Sequence, residues 1–101
     1  MTEAAAFVGF VPDLMDRSKL SGVRFVARAS ALLEAPERAV VLDLGRAGAI
    51  DLIAELVASG RRVVGFVSHV DRVTVEAARA AGCESYPRSE LFRRWPDIAS
   101  G

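Results

Sequence analysis

Six polar residues follow apolar stretches of this sequence, at points where their side chains could assemble into a site. They are Asp13, Asp43, Ser68, His69, Arg88 and Ser89. Carboxylates are the ligands that hard divalent cations such as Mg²⁺ prefer. A guanidinium can form paired hydrogen bonds with a phosphate or a carboxylate. These residue types therefore indicate two kinds of chemistry, the binding of a divalent cation and the recognition of an anionic ligand.

Short apolar runs predict the strands that would position these residues. The runs are Ala6–Val11, Val23–Ala27, Ala39–Leu44, Arg62–Ser68 and a weaker one at Cys83–Pro87. Each run is too short for a buried helix and suits a strand. Because helical segments alternate with these runs, we expect a parallel sheet covered by helices on both faces.

Two of the intervening segments have a strong helical pattern. Apolar residues recur at helical spacing between Ile50 and Val57, with Gly60 just past the end. Asp71 can cap a second, alanine-rich helix through Ala81, which Gly82 would stop. Three other helices are predicted to be short: Asp13–Leu20, Ser30–Glu34, and a last one that Ser89 caps and Pro96 shortens.

The character of the strands predicts their order. The first, third and fourth are almost wholly apolar, as strands buried on both faces are, whereas the second and fifth carry polar residues and tolerate an edge. The order 2-1-3-4-5 satisfies this pattern. We therefore predict an α/β fold, a single flavodoxin-like, doubly wound sheet of five parallel strands with shortened first and last helices, forming one domain over residues 1–101. In such a sheet the six polar residues meet at the carboxyl edge.

Composition excludes several classes of protein. The chain has 101 residues, with 13 Lys plus Arg and 13 Asp plus Glu, so no bulk charge draws it to nucleic acid or an anionic membrane. Its one cysteine, Cys83, is expected to pack as a small core hydrophobe. The apolar stretch Ala4–Pro12 is too short to span a bilayer and lacks a basic leader. We expect a cytoplasmic protein.

Three segments resemble the receiver domain of bacterial two-component response regulators. Val40–Leu44 is similar to the strand that carries the phosphoacceptor, which makes Asp43 the equivalent residue. Val64–Ser68 is similar to the strand that ends in the family's hydroxyl residue, and Ala80–Tyr86 to its helix exit and fifth strand. The resemblance covers nearly the full length and implies a receiver-like signalling domain.

The departures from the receiver pattern concern the groups that would assist phosphorylation. Pro12 occupies one of the family's two acidic positions, which leaves Asp13. Ser89 falls at the position of the family's lysine, with Arg88 just before it, and His69 replaces a small residue. We therefore interpret the chain as an atypical, degenerate receiver, or pseudo-receiver.

The same departures weaken the expected metal chemistry. Only Asp13 and Asp43 remain as weak candidate ligands, so we expect no cofactor and at most weak binding of Mg²⁺. The leading hypothesis is a phosphorylation-independent regulatory module, not an enzyme, that binds an unidentified protein or a second copy of itself. Receivers use their fourth helix, fifth strand and fifth helix for such contacts. The matching candidate interface residues are Arg72, Glu76, Arg79, Phe92, Arg93 and Trp95.

Other interpretations of these residues stay open. The chain could be a conventional receiver phosphorylated on Asp43. It could also bind a small molecule or nucleotide in the crevice between Asp13, Asp43, Ser68 and Arg88. The basic residues near this edge could simply pair with acidic neighbours such as Asp16, and Trp95 could be a lid on the core.

Overall fold

A computed structural model describes residues 7–68 and 71–101. Five strands form one parallel sheet in the order β2-β1-β3-β4-β5, which confirms the predicted fold class. The strands are β1 (Phe7–Phe10), β2 (Val23–Phe25), β3 (Ala39–Asp43), β4 (Arg62–Val67) and β5 (Glu84–Pro87). They lie where the apolar runs predicted them, with shorter ends, and Ala6 falls outside the described residues.

Among the described residues, three α-helices and one 3-10 helix connect the strands, and a fourth α-helix follows β5. They are α1 (Leu14–Arg17), the 3-10 helix (Ala29–Glu34), α2 (Ala49–Ala58), α3 (Arg72–Ala80) and α4 (Arg88–Ser100). The predicted stops of α2 and α3 are confirmed, because Gly60 and Gly82 have φ angles of 88° and 104°, in the left-handed region. Asp71 caps α3 as predicted, accepting a bond of 3.0 Å from the Thr74 amide.

Helix α4 contradicts the prediction of a short last helix, since it has 13 residues and contains Pro96. Pro96 is exposed, whereas Leu91, Trp95 and Ile98 are buried around it. The apolar surface that these three side chains remove from water outweighs the hydrogen bond that proline cannot donate. The predicted cap is also wrong, because Pro87 occupies the N-cap position and Ser89 lies inside the first turn.

Helix α1 is shorter than the predicted segment Asp13–Leu20, with four residues, Leu14–Arg17. Because α1 is short, side chains of the neighbouring strands cover β1 at Gly9. A Cβ atom there would lie 2.8 Å from Val23 Cγ1 and 3.0 Å from Val41 Cγ1, so these neighbours occupy the space above the glycine. The side chains of β2 and β3 therefore close over β1 where a longer first helix would have covered it.

The short helix predicted at Ser30–Glu34 is a 3-10 helix, Ala29–Glu34, on the opposite face of the sheet. Its carbonyl groups are bonded by Arg61, which precedes β4 and donates to the carbonyl oxygens of Leu32, Leu33 and Ala35. Carbonyls at the end of a helix have no partner within the helix, so one guanidinium supplies three of the missing bonds. Leu32 is fully buried beneath it.

Trp95 lies in the core, not on an interface as one prediction had it. The side chain is 2% exposed, and its ring meets the Phe7 ring edge-on at 5.0 Å between centroids. The indole Nε1 donates a 2.9 Å hydrogen bond to the Ser21 carbonyl oxygen. Cys83 is also in the core as predicted, and burial raises the pKa of its thiol to about 12.

Replacing Trp95 with alanine should lower the free energy of unfolding by about 3–5 kcal/mol, because the substitution leaves a cavity and an unpaired Ser21 carbonyl. Urea denaturation measures the change. Pro96→Ala is the matched control at the neighbouring exposed position and should not lower stability. A Trp95→Ala variant as stable as the control would contradict the placement of Trp95 in the core.

Candidate functional site

A cleft opens at the carboxyl edge of the sheet, where the polar residues were predicted to meet. One part of it has a volume of about 340 Å³ and is lined by Asp43, Gly45, Arg46, Val67, Ser68, Asp71 and Arg88. An adjoining part of about 290 Å³ is lined by Asp16, Lys19, Ser68, Arg88, Ser89 and Phe92. Ser68 and Arg88 border both parts. Of the six predicted residues, Asp43, Ser68, Arg88 and Ser89 therefore line one continuous cleft.

Asp13 is not among the residues that line this cleft. Asp13 is exposed and caps α1, since its Oδ1 accepts bonds of 2.8 Å from the Met15 amide and 3.0 Å from the Asp16 amide. His69 lies outside the described residues. The crevice that the sequence predicted is thus lined by Asp43, Ser68 and Arg88 without Asp13.

Asp43 ends β3 and is almost completely buried, with its side chain 4% exposed. Its Oδ1 accepts a 3.0 Å bond from the Gly45 amide, and its Oδ2 accepts a 3.3 Å bond from Arg46 Nε. Arg88 Nη2 lies 3.8 Å from the same Oδ2. A buried carboxylate is costly without counter-charge, and here two guanidinium groups supply it.

Arg88 is shared between two carboxylates. It begins α4, and its Nε lies 3.4 Å from Asp16 Oδ2, within ion-pair distance, although this buried nitrogen forms no hydrogen bond. Its guanidinium also lies over the Phe66 ring, 5.4 Å from the centroid. Partial burial raises the pKa of Asp16 above its ordinary value, the charge of Arg88 opposes that rise, and Asp13 and Asp43 add to it.

Among the cleft residues that the site prediction left out, which include Arg46 and Lys19, Asp16 is the one that pairs with Arg88. The sequence indicated it only as a general pairing partner for nearby basic residues. Its spacing of three residues after the capping Asp13 was the available signal, since a capping residue and the third residue after it lie in the same helical turn. That Arg88 would approach it depends on how α4 begins, which the spacing does not specify.

The donor set does not fit a Mg²⁺ ion as it is arranged. Within residues 7–68 and 71–101, no three His, Cys, Asp or Glu side chains lie close enough together to hold a metal ion. Asp13 uses one oxygen to cap α1, and Asp43 Oδ2 faces Arg46 and Arg88. Positive side chains therefore surround the carboxylate where a cation would need open oxygen ligands.

The candidate interface residues divide among four places. Arg72, Glu76 and Arg79 border a groove of about 200 Å³, whose other lining residues are Val75, Pro87 and Glu90. Phe92 lies on the far side of α4, in the cleft, with its ring 5.3 Å from that of Phe66. Arg93 is exposed on α4, and Trp95 is in the core.

Comparisons with known proteins show the fold. No family model matches the chain, and no curated protein matches it. The structure is similar to that of the signal receiver domain of the response regulator NarL from Mycobacterium tuberculosis, with a TM-score of 0.72, 20% sequence identity and coverage of 99% of each chain. The chain therefore has the receiver fold over its whole length. Among the described residues, no helix is long and apolar enough to cross a membrane.

Removing both guanidinium groups from Asp43 should destabilise the fold. We expect Arg46→Gln with Arg88→Gln to lower the free energy of unfolding by roughly 2–3 kcal/mol, somewhat below the usual loss for an unpaired buried charge because the Gly45 amide bond remains. Adding Asp43→Asn should recover most of the loss, since it removes the charge itself. Urea denaturation of the three variants checks this, and a triple variant no more stable than the double would contradict it.

Proposed function

We propose that this chain is a receiver-fold signalling module that acts by binding another protein and is not switched by phosphorylation of Asp43. The proposal rests on one observation. Both Arg46 and Arg88 lie close to Asp43 Oδ2, at 3.3 and 3.8 Å. The carboxylate is thereby neutralised by the chain's own side chains.

Phosphorylation would require Asp43 to attack a phosphorus atom with a free oxygen. Its side chain is 4% exposed, and both oxygens are engaged, one by a backbone amide and the other by guanidinium groups. Phosphoryl transfer depends mainly on fixed positive charge around the transferring group. Here that charge is already compensated by the carboxylates of Asp43 and Asp16, which argues against a phosphoacceptor role.

The cleft gives some support to an alternative, the binding of a small anionic molecule. Its two parts, of about 340 and 290 Å³, are near the lower end of the size of ligand sites. The pairing of Arg46 and Arg88 with carboxylates opposes this alternative, because an anionic ligand would have to displace Asp43 or Asp16. Protein binding therefore remains the leading proposal.

Incubation with Mg²⁺ and acetyl phosphate should leave the intact mass of the protein unchanged. The reason is that both oxygens of Asp43 have partners and that, among the described residues, no three potential ligands lie close enough together to hold a metal ion. Mass spectrometry under mildly acidic conditions, which preserve an acyl phosphate, makes the measurement, with Asp43→Asn as the control. A stoichiometric adduct that hydroxylamine removes and that Asp43→Asn abolishes would show that Asp43 is phosphorylated, as in a conventional receiver, and would contradict the proposal.

The surface formed by α3, β5 and the start of α4 has the character of a polar interface. Its charged side chains pair with one another across short distances, Arg94 Nη1 with Glu90 Oε2 at 2.8 Å and Arg79 Nη1 with Glu76 Oε2 at 3.9 Å. Exposed ion pairs of this kind contribute little to folding and can exchange partners. Val73 on α3 is 81% exposed. These features support α3, β5 and α4 as the binding surface.

Charge reversal on this surface should weaken binding without unfolding the protein. We choose Arg72→Glu with Arg93→Glu, because both side chains are exposed and no structural ion pair of the described residues includes them. Sedimentation velocity should show loss of self-association, or cross-linking loss of a partner adduct, with an unchanged circular-dichroism spectrum. Arg28→Glu with Arg38→Glu, on another part of the molecule, is the matched control. Equal effects of the two variants would contradict the assignment of the surface.

A further inference from the structure

We propose that Arg88 is a latch with two positions, one on Asp43 and one on Asp16, so that the charge of Asp43 controls how firmly α1 is held against α4. This inference goes beyond the proposed function and does not require it. It concerns the coupling between two parts of the cleft, whether or not Asp43 is ever modified.

Arg88 forms a complete, doubly hydrogen-bonded pair with neither carboxylate. Its Nη2 is 3.8 Å from Asp43 Oδ2, and its Nε is 3.4 Å from Asp16 Oδ2. Guanidinium and carboxylate prefer two parallel hydrogen bonds of about 2.8 Å. Among the described residues, the buried Nε has no hydrogen-bond partner. A group held between two partners at these distances gains hydrogen bonds by moving toward either one.

Asp43 and Asp16 depend unequally on Arg88 for a positively charged partner. Asp43 keeps the Gly45 amide and Arg46 Nε as partners if Arg88 moves away. For Asp16, the ion pair with Arg88 is the single one among the described residues. The position of Arg88 therefore matters more to α1, which contains Asp16, than to the loop around Asp43.

Helix α1 is the element that a change in the position of Arg88 would move. Helix α1 has only four residues, Leu14–Arg17, and buries none of them. Its position therefore depends on single contacts: Arg17 Nε donates a 2.6 Å hydrogen bond to the Val11 carbonyl oxygen, and the ion pair of Asp16 with Arg88 adds the link to α4. Leu14 and Met15 are 73% and 71% exposed in this turn, so a shift of α1 would move two large apolar side chains at the surface.

The direction of the coupling follows from the charges. Replacing Asp43 with asparagine removes the competitor, so Arg88 should shift to Asp16 and form paired hydrogen bonds with it. Among the described residues, the charged groups that act on Asp16 are Asp13, Asp43 and Arg88; Arg17 follows it in α1, and Lys19 lines the same part of the cleft. Since Asp43→Asn also removes a nearby negative charge directly, the test must separate this direct effect from the movement of Arg88.

A double-mutant cycle read on the Asp16 carboxyl makes that separation. The pKa of Asp16 is measured by carbon-detected NMR in the wild type, Asp43→Asn, Arg88→Gln and the double variant. With Arg88 present, Asp43→Asn should lower the pKa of Asp16 by about one pH unit more than it does in the Arg88→Gln background. Equal lowering in the two backgrounds would overturn the latch, because only the direct charge effect would then exist.

Two further measurements test whether the effect on the pKa of Asp16 comes from Arg88. Arg46→Gln is the matched control for Arg88→Gln, since Arg46 pairs with Asp43 and not with Asp16 among the described residues, and in its background Asp43→Asn should retain its full effect on Asp16. The Arg88 Nε–Hε signal should become protected from solvent exchange in Asp43→Asn. If Arg88→Gln does not fold, Arg88→Lys replaces it, because an ammonium group lacks the planar fork that pairs with both oxygens of a carboxylate. The acetyl phosphate experiment is independent of all these results.

Discussion

A carboxylate buried at the end of an apolar strand is the constraint on which the carboxyl edge of this protein depends. Asp43 follows four buried residues of β3 and is itself 3% exposed, so its charge cannot be left to water. The turn after β3 supplies an amide from Gly45 and a guanidinium from Arg46. A Cβ at position 45 would lie 3.3 Å from Asp43 Oδ1, which makes glycine the least crowded residue for this close turn. Arg88 brings the start of α4 to the same place.

The rest of the architecture shows how a sheet of five strands can be enclosed with little helix. Three contacts between distant residues help to enclose it. Gly9 lets the side chains of β2 and β3 close over β1, Arg61 bonds the carbonyls of the 3-10 helix, and Trp95 of α4 donates a hydrogen bond to the Ser21 carbonyl. In each case the contact joins residues that are far apart in the chain. Such contacts leave no periodic signal in the sequence.

This difference explains which parts of the structure could be predicted. Strand order followed from local composition, because a strand buried on both faces must be apolar along its whole length. The length of α4 did not, since the cost of Pro96 is local whereas the burial of Leu91, Trp95 and Ile98 is tertiary. Their spacing, four residues and then three, was nevertheless a helical signal that the proline obscured. Asp43, Ser68 and Arg88 met as expected because parallel strands end at one edge. The pairing of Asp16 with Arg88 could not be predicted in this way, because it depends on the path of a loop.

The neutral pairing of Asp43 also bears on how a signal could pass through this fold. A carboxylate that already has two cationic partners gains little from a third, so an added cation in the cleft would compete with side chains that stay tethered nearby. A protein partner faces no such competition on the outer surface of α3 and α4, where ion pairs are exposed and individually weak. The two regions are nevertheless joined, because α4 begins at Arg88 in the cleft and carries Glu90 to the groove within its first turn. If Arg88 moves between Asp43 and Asp16 as proposed, the movement takes place within one helical turn of the groove that Glu90 lines.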